Sequence, residues 1–598
     1  MIQIIDIETK KRFDLPDGIK ISIEETNQFI SDKGSSSLPL SFPWTDNNLK
    51  LLNFPHRFDR IEKYITRRNV IVSNEMFQKS GILVISSARK GKNIAGTILF
   101  NESALNFLMK DVTMQQVFSS VVREDYDGNL NERVESWIDH FEKVMAGYLD
   151  DDFHVFQVCF KLSGVSAFEH KLLNEQNPDD MNSELPGVDP FYRLKNRIAG
   201  SFVDEDNVTI YYPAGYRVTG FLKLSYVLHR IFEYFGYNLT FDFDADTSLK
   251  STVILNKTSD LLLPGKIRYD QMVPTMTVSE FVNIIRTTYN VEFIPSSYSA
   301  DIDMVRFDDN NQLTDITPYQ SDYPLIEFEQ YKTLNLTCEK SLEVKNSQHK
   351  TWQDFNASFS NIIEESRYEQ LFNPYGQYIF IRSIGLYYEK KNTVDGLQIS
   401  KLGYNNFDYC DKITDHVLYE KKCGFEYVSM IILQRENVNP LFNPWLIPIP
   451  YIGAELSLNS TIRVEGKTDA DKSTTDCPVM LCFAMGRGNG TEYNKYAYAS
   501  SQRYDNAGVA KMAYNLAISG TNGLYEKNWI TFNDILKYSF QPVTVPLKLD
   551  PYQILNYEIS RKKLLNGQPL LPESLKYEIT ESGVNIIEAK FRTMKLYE

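Results

Sequence analysis

Around Pro542 the hydrophobic period of the chain changes, and the change limits what can lie on either side. Trp529, Phe532, Ile535, Leu536 and Ser539 fall three or four apart, so they predict a helix with one buried face. Pro542 stops that helix. Val543, Val545, Leu547 and Leu549 then alternate, which predicts a strand, and Pro546 places that strand at an edge or a bulge. Asp550-Pro551 starts a single helical turn, and Asn566-Gly567 is a strong hairpin signal. LKYEI and NIIEAKFRTMKL complete a small sheet. The four apolar helix residues are expected to be core, each contributing roughly 1.5–3 kcal/mol on burial.

The same punctuation recurs along the chain. The fold class expected is mainly β with inserted α/β units, an α+β multidomain protein of tail-tube-like β-barrel domains plus helix–strand insertions. The 37 tyrosines and 36 phenylalanines suit half-buried strand surfaces. With 598 residues the chain exceeds a single core. The expected divisions are 1–125, a β-barrel or sandwich; 126–200, a helix–strand connector with a long loop; 201–320, an inserted α/β domain; 321–437, a second β-rich barrel-like domain; and 438–598, a β domain with one packed helix.

Within these, residues 1–30 read as a hairpin turning at LPDG, and GILVIS with GTILF as a second hairpin around ARKGKN. NERVESWIDHFEKVMAG is helical, followed by Asp150, Asp151 and Asp152 as a solvated turn and FHVFQVCFKL as a strand. Leu224, Val227, Leu228, Ile231, Phe232 and Phe235 form a helix stripe that Gly236 ends, and Leu239, Phe241 and Phe243 alternate after it. Thr277 and Glu280 make a capping box for a second helix, with Phe281, Ile284, Ile285 and Tyr289 inward and Asn290 at its close. IEFEQY, TLNLTC, QYIFIRS and FEYVSMIIL are strand candidates. Residues 439–452, with four prolines, read as a crossing between domains, and PVMLCFAMG as a buried strand ending in the turn GRGNG. Residues 171–190 and 348–366 read as long loops.

Charge and chemistry narrow the function. A net charge of −15 argues against a wrapped nucleic-acid partner but suits a channel through which DNA slides. The six cysteines form no CxxC pair and read as reduced thiols. The N-terminus has no signal-peptide pattern, and no run of about 18 apolar residues exists to span a membrane. Synthesis and folding in a cytoplasm are expected.

The seven histidines are scattered without HExxH. Asp242, Asp244 and Asp246 begin like a calcium loop, but Thr247 and Val253 stand where glycine and glutamate belong. No GxSxG, SxxK or phosphate-loop pattern occurs. No carboxylate pair is singled out for glycoside hydrolysis. The basic tip Arg89, Lys90 and Lys92 is a candidate contact with DNA or another subunit, against the plainer reading of a solvated loop. Tyr493, Tyr496, Tyr498 and Tyr504 could stack on sugars, against plainer half-buried packing. No catalytic residue, metal or cofactor is expected.

Several stretches together carry a resemblance. SLPLSFPWTDNNLKLLNFPHRFDR (37–60) resembles the N-terminal region of tail proteins of phages and prophages of Bacteroidetes-type bacteria. The helix–strand unit at 221–243 with VPTMTVSEFVNIIRTTYNVEF (273–293) resembles the inserted domain of tail-tip, or baseplate, hub proteins. CPVMLCFAMGRGNG, GLYEKNWITFNDILKYSFQPVTVPLKL and LNGQPLLPESLKYEI resemble their C-terminal part.

The resemblance implies a virion structural protein. Such hubs form trimers whose barrels make a ring around the DNA channel and join tube to tip. It implies contacts with the distal tail protein, the tape-measure protein and spike or fibre proteins, and DNA ejected through the lumen without specific binding. It implies a place in the virion tail and no enzymatic activity. Since the chain ends at Lys595-Leu596-Tyr597-Glu598, no appended lytic domain is expected. On this reading Val543, Val545, Leu547 and Leu549 are subunit-interface candidates, because an edge strand pairs readily with another chain. The alternatives are a receptor- or glycan-binding tail component and a cell-wall or polysaccharide hydrolase.

Overall fold

Asp6 closes the first turn of the chain. Its Oδ2 accepts from the Thr9 backbone N–H at 2.8 Å and the Thr9 hydroxyl at 2.6 Å, Lys10 sits at φ +59°, and Phe13 N–H returns to Ile4 O at 2.9 Å. The computed structural model describes residues 1–31, 34–57, 67–75, 77–161, 170–176, 193–203, 209–296, 299–309, 313–339, 348–349, 368–371, 378–381, 386–393, 396–404, 409–410, 413–435, 445–452, 456–457, 475–486, 497–503, 514–518 and 522–594.

Because the turn falls at Asp6 and not at LPDG, the expected hairpin of residues 1–30 does not form. Gln3–Asp6 pairs instead with Arg67–Asn74, and Ile21–Thr26 lies between Ser35–Ser37 and Gln568–Thr580. The second hairpin does form: Phe77–Arg89 pairs with Asn93–Phe100, turning at Gly91, φ +73°. Gly81 permits the close approach there, since a Cβ would lie 2.6 Å from Leu99 O.

These strands belong to one 13-stranded sheet that mixes both ends of the chain. Its path runs Gln3–Asp6, Arg67–Asn74, Phe77–Arg89, Asn93–Phe100, Ser35–Ser37, Ile21–Thr26, Gln568–Thr580, Gly583–Thr593, Pro542–Thr544 and Leu325–Ile326. Among the described residues, no further named strand pairs outside Gln3–Asp6 or outside Leu325–Ile326. The fold is mainly β with several sheets, and the described residues form no closed barrel.

The described residues gather into two hydrophobic cores. Ile4, Ile23, Val70, Val72, Leu83, Leu575 and Phe591 lie in the core against the large sheet. The other core gathers the helices Leu130–Met145, Leu224–Tyr234, Val278–Tyr289 and Ile530–Tyr538 with strands such as Leu481–Gly486. The helices form where their spacing and caps foretell. Thr277 and Glu280 cap each other's backbone, and Asn290 closes that helix at φ +49°. Gly236, at φ +84°, follows the end of Leu224–Tyr234. Strand Asn238–Thr240 stops before Phe241 and Phe243.

FHVFQVCFKL divides into the short strands Phe153–His154 and Val158–Lys161. FEYVSMIIL divides between Val417–Glu426 and Ser429–Arg435, and IEFEQY is strand only at its first residue.

The proline-rich crossing at 439–452 contains a strand, Trp445–Tyr451, paired along its length with Ser429–Arg435. Ile452 N–H points to Cys159 O on the opposite side. Pro448 and Pro450 share the parity of Ile452, so their missing N–H groups fall on that side, where the described residues pair only at Cys159 and Tyr451.

Candidate functional site

The chain passes from one core to the other just before Pro542. Trp529, Phe532, Ile535 and Leu536 are buried in the helical core, with Trp529 Nε1 donating to Thr287 O at 3.1 Å. Ser539 ends the helix and Phe540 turns at φ +61°, so the stop precedes Pro542. Val543, Val545, Leu547 and Leu549 then enter the core of the large sheet.

That placement corrects the expected edge. Pro542–Thr544 is flanked on one side by Gly583–Thr593 and on the other by Leu325–Ile326. The four interface candidates are buried in the chain's own core, and the edge lies one strand further out. Val545 N–H points to Ala589 O, so positions 542, 544 and 546 face the outer neighbour. Two of those three are prolines without an N–H, which keeps the outer pairing short.

Among the described residues, no strand pairs with the far side of this outer segment. Leu325 pairs with Thr544, Glu327 N–H donates to Pro542 O at 2.9 Å, and Glu329 N–H donates to Gln541 Oε1 at 2.6 Å. Odd positions are thus bonded inward, and the backbone groups of Ile326 and Phe328 face outward. Phe328 is 90% exposed, Tyr323 89% and Leu325 59%. Exposed Tyr331, Val417 and Leu418 continue the apolar strip, with Val417 N–H donating to Tyr331 O at 2.8 Å. A run of exposed apolar side chains beside unpaired backbone is uncommon on a folded protein and marks an interaction surface.

The basic tip is elsewhere. Arg89, Lys90 and Lys92 are exposed at the end of the Phe77–Arg89 hairpin, with Lys92 N–H donating to Arg89 O at 3.0 Å. Among the aromatic candidates, Tyr498 is half-buried in strand Tyr498–Ser500, whereas Tyr493, Tyr496, Tyr504 and residues 487–490 of the GRGNG turn lie outside the described residues. So do 177–190 and 350–366 of the two long loops.

Asp151 corrects the solvated turn. Its carboxylate is buried, bonded to Arg123 Nη1 at 2.7 and 2.8 Å and to His140 Nε2 at 2.5 Å, and Tyr126 OH lies 2.9 Å from His140 Nδ1. Burial works to raise the Asp151 carboxyl, but the bonds from His140 and Arg123 outweigh it and bring it down to about 2. An ionised carboxylate only accepts, so His140 donates through Nε2. The cluster pins helix Leu130–Met145 to the loop after it. Its signal in the sequence was His140, which falls on the buried helix face beside Trp137 and Phe141 and there needs a polar partner.

The aspartates of the calcium-like stretch serve local structure. Asp246 caps helix Thr247–Ser251 and pairs with Arg306, Asp242 accepts from the N–H groups of Asp244 and Ala245, and Asp244 pairs with Lys250. Among the described residues, no three metal-ligating side chains converge. A polar cavity of about 270 Å³ is lined by Asp246, Arg306, Asp308, Lys527 and Asn528 among others, and burial raises Asp308 there. Cys159, Cys423, Cys477 and Cys482 are buried thiols, with Cys159 pushed up to about 12 and Cys477 to about 11 by burial. No helix is long and apolar enough to cross a membrane among the described residues.

No family model matches the chain, and no curated protein matches it. Among solved structures, it is similar at 8% identity and a TM-score of 0.19 to a chain described as "Structure of Francisella PdpA-VgrG Complex, half-lidded". The alignment covers 98% of this chain and 88% of that one, and a likeness at this level carries no argument about fold or function.

Proposed function

We propose that the chain is a non-catalytic structural subunit of a phage tail tip or related injection machine. In this reading it assembles as a trimeric ring around the DNA channel and joins the tail tube to tip, spike or fibre proteins. The distal tail protein and the tape-measure protein are its other neighbours, and its place is the virion tail. The observation that carries an assembly role is the open sheet edge at 325–328, with its exposed Tyr323 and Phe328. The tail-hub resemblance of the stretches from 37–60 to 565–579 supplies the kind of assembly. Light scattering of the purified chain across a concentration range tests it. A particle near three times 69.2 kDa is expected. A monomer at every concentration, which also fails to join a ring when mixed with purified tail-tube protein, overturns it.

A further inference from the structure

The edge at 325–328 has a polarity that says what can cover it. Ile326 and Phe328 offer outward backbone groups, and Glu327 between them is exposed and has no ion-pair partner among the described residues. Glu329 is already matched, by Arg592 at 2.6 Å and Lys332 at 3.7 Å.

A second copy related by a two-fold axis, with this edge paired to itself, fits poorly. In an antiparallel self-pairing centred on Glu327, that carboxylate sits directly opposite its own copy, where like charges are destabilising. Centring on Phe328 sets Glu327 against the copy's Glu329. Centring on Ile326 brings Pro324 opposite Phe328, and proline has no N–H to give. The opposite end of the sheet offers no substitute. The outer side of Gln3–Asp6 is covered by the chain itself, through the Ile5–Arg12 bridge and the Phe13 N–H bond to Ile4 O.

We infer that this edge takes an extended segment of a different protein, one carrying apolar side chains opposite Ile326 and Phe328 and a lysine or arginine opposite Glu327. The segment adds a strand: its backbone bonds to Ile326 and Phe328 supply affinity, and the basic residue against Glu327 sets register. The inference rests on the assembly reading only in taking that protein to be another component of the same assembly.

The test uses the full chain and a labelled peptide of alternating valine and lysine, followed by fluorescence anisotropy, beside a peptide of alternating valine and glutamate. The lysine peptide is expected to bind at least tenfold more tightly than the glutamate one. Glu327→Lys reverses that preference, and Phe328→Ser, at a side chain exposed enough to leave folding intact, weakens binding at least tenfold. Amide exchange at Ile326 and Phe328 slows at least tenfold when the lysine peptide is bound. Equal binding of the two peptides, or binding of neither, overturns the inference.

Light scattering on the same samples separates it from the assembly reading. A wild-type oligomer that Phe328→Ser dissolves makes a second copy the occupant, which overturns the inference and leaves the assembly standing. Lysine-selective binding by a chain that stays monomeric upholds the inference while the ring is lost.

Discussion

The Tyr577 hydroxyl lies 2.8 Å from Glu25 Oε1, a contact between strands from opposite ends of the chain. The same carboxylate oxygen accepts from Lys79, and all three side chains are buried. Tyr577→Phe removes one donor and leaves the ion pair, so a loss of about 1–2 kcal/mol is expected in urea unfolding. Glu25→Gln leaves the Lys79 ammonium buried without its counter-charge, and the expected loss is larger, about 3–5 kcal/mol. Equal losses for the two variants would contradict this arrangement.

Glu102 stands close enough to feel Glu25 and Lys79. Burial pushes its carboxyl up to about 7, against a lowering from its own backbone N–H. A carboxyl raised in the folded state stabilises fully below its unfolded value of 4.5, and that stability is lost as pH rises through about 7. Glu102→Gln removes the ionisation. Unfolding measured from pH 4 to 9 should show the variant gaining on the wild type by up to about 3 kcal/mol above pH 7, with no such gain at pH 4.

Asp151 has the opposite sign. Held down at about 2 against an ordinary 3.8, it contributes stability above pH 4 that disappears as pH falls towards 2. Asp151→Asn should cost about 2 kcal/mol at neutral pH, and the difference from wild type should close between pH 4 and pH 2. A difference that stays constant over that window would show that the carboxylate charge is not what matters.

Trp529 joins helix to helix as well as filling space, through its bond to Thr287 O and its ring contact with Phe532 at 5.7 Å between centroids. Trp529→Ala should cost about 3–5 kcal/mol in thermal or urea unfolding. Alanine at Arg89, Lys90 and Lys92 together, on an exposed tip, should change stability by less than about 0.5 kcal/mol.

What the sequence made legible was local. The capping box of Thr277 and Glu280, the closing residues Asn290 and Gly236, the Phe77–Arg89 hairpin and the buried face from Trp529 to Leu536 all depend on residues a few places apart. What escaped was pairing across hundreds of residues. Strand Ile21–Thr26 was visible, but nothing in its alternation names Gln568–Thr580 as its partner. The alternation at 543–549 is real, yet it states only that one face is buried. Whether a strand is outermost depends on its neighbours; the outer neighbour, Leu325–Ile326, touches the candidate IEFEQY at Ile326, but nothing in that stretch names Pro542–Thr544 as its partner. Three consecutive aspartates look solvated until Arg123 and His140 are folded against the middle one.

A sheet that needs both ends of the chain also sets a schedule for synthesis. Phe77–Arg89 and Asn93–Phe100 leave the ribosome early, but Ile21–Thr26 stays without its main partner until Gln568–Thr580 has been made. At the usual pace of roughly 5–20 residues per second, that wait is on the order of 30–110 s. For that time the nascent chain carries a strand with Ile21 and Ile23 uncovered, and a holding chaperone or quick burial among its own early residues must shield them. Removal of the last few dozen residues would therefore disrupt the first hundred as surely as the last.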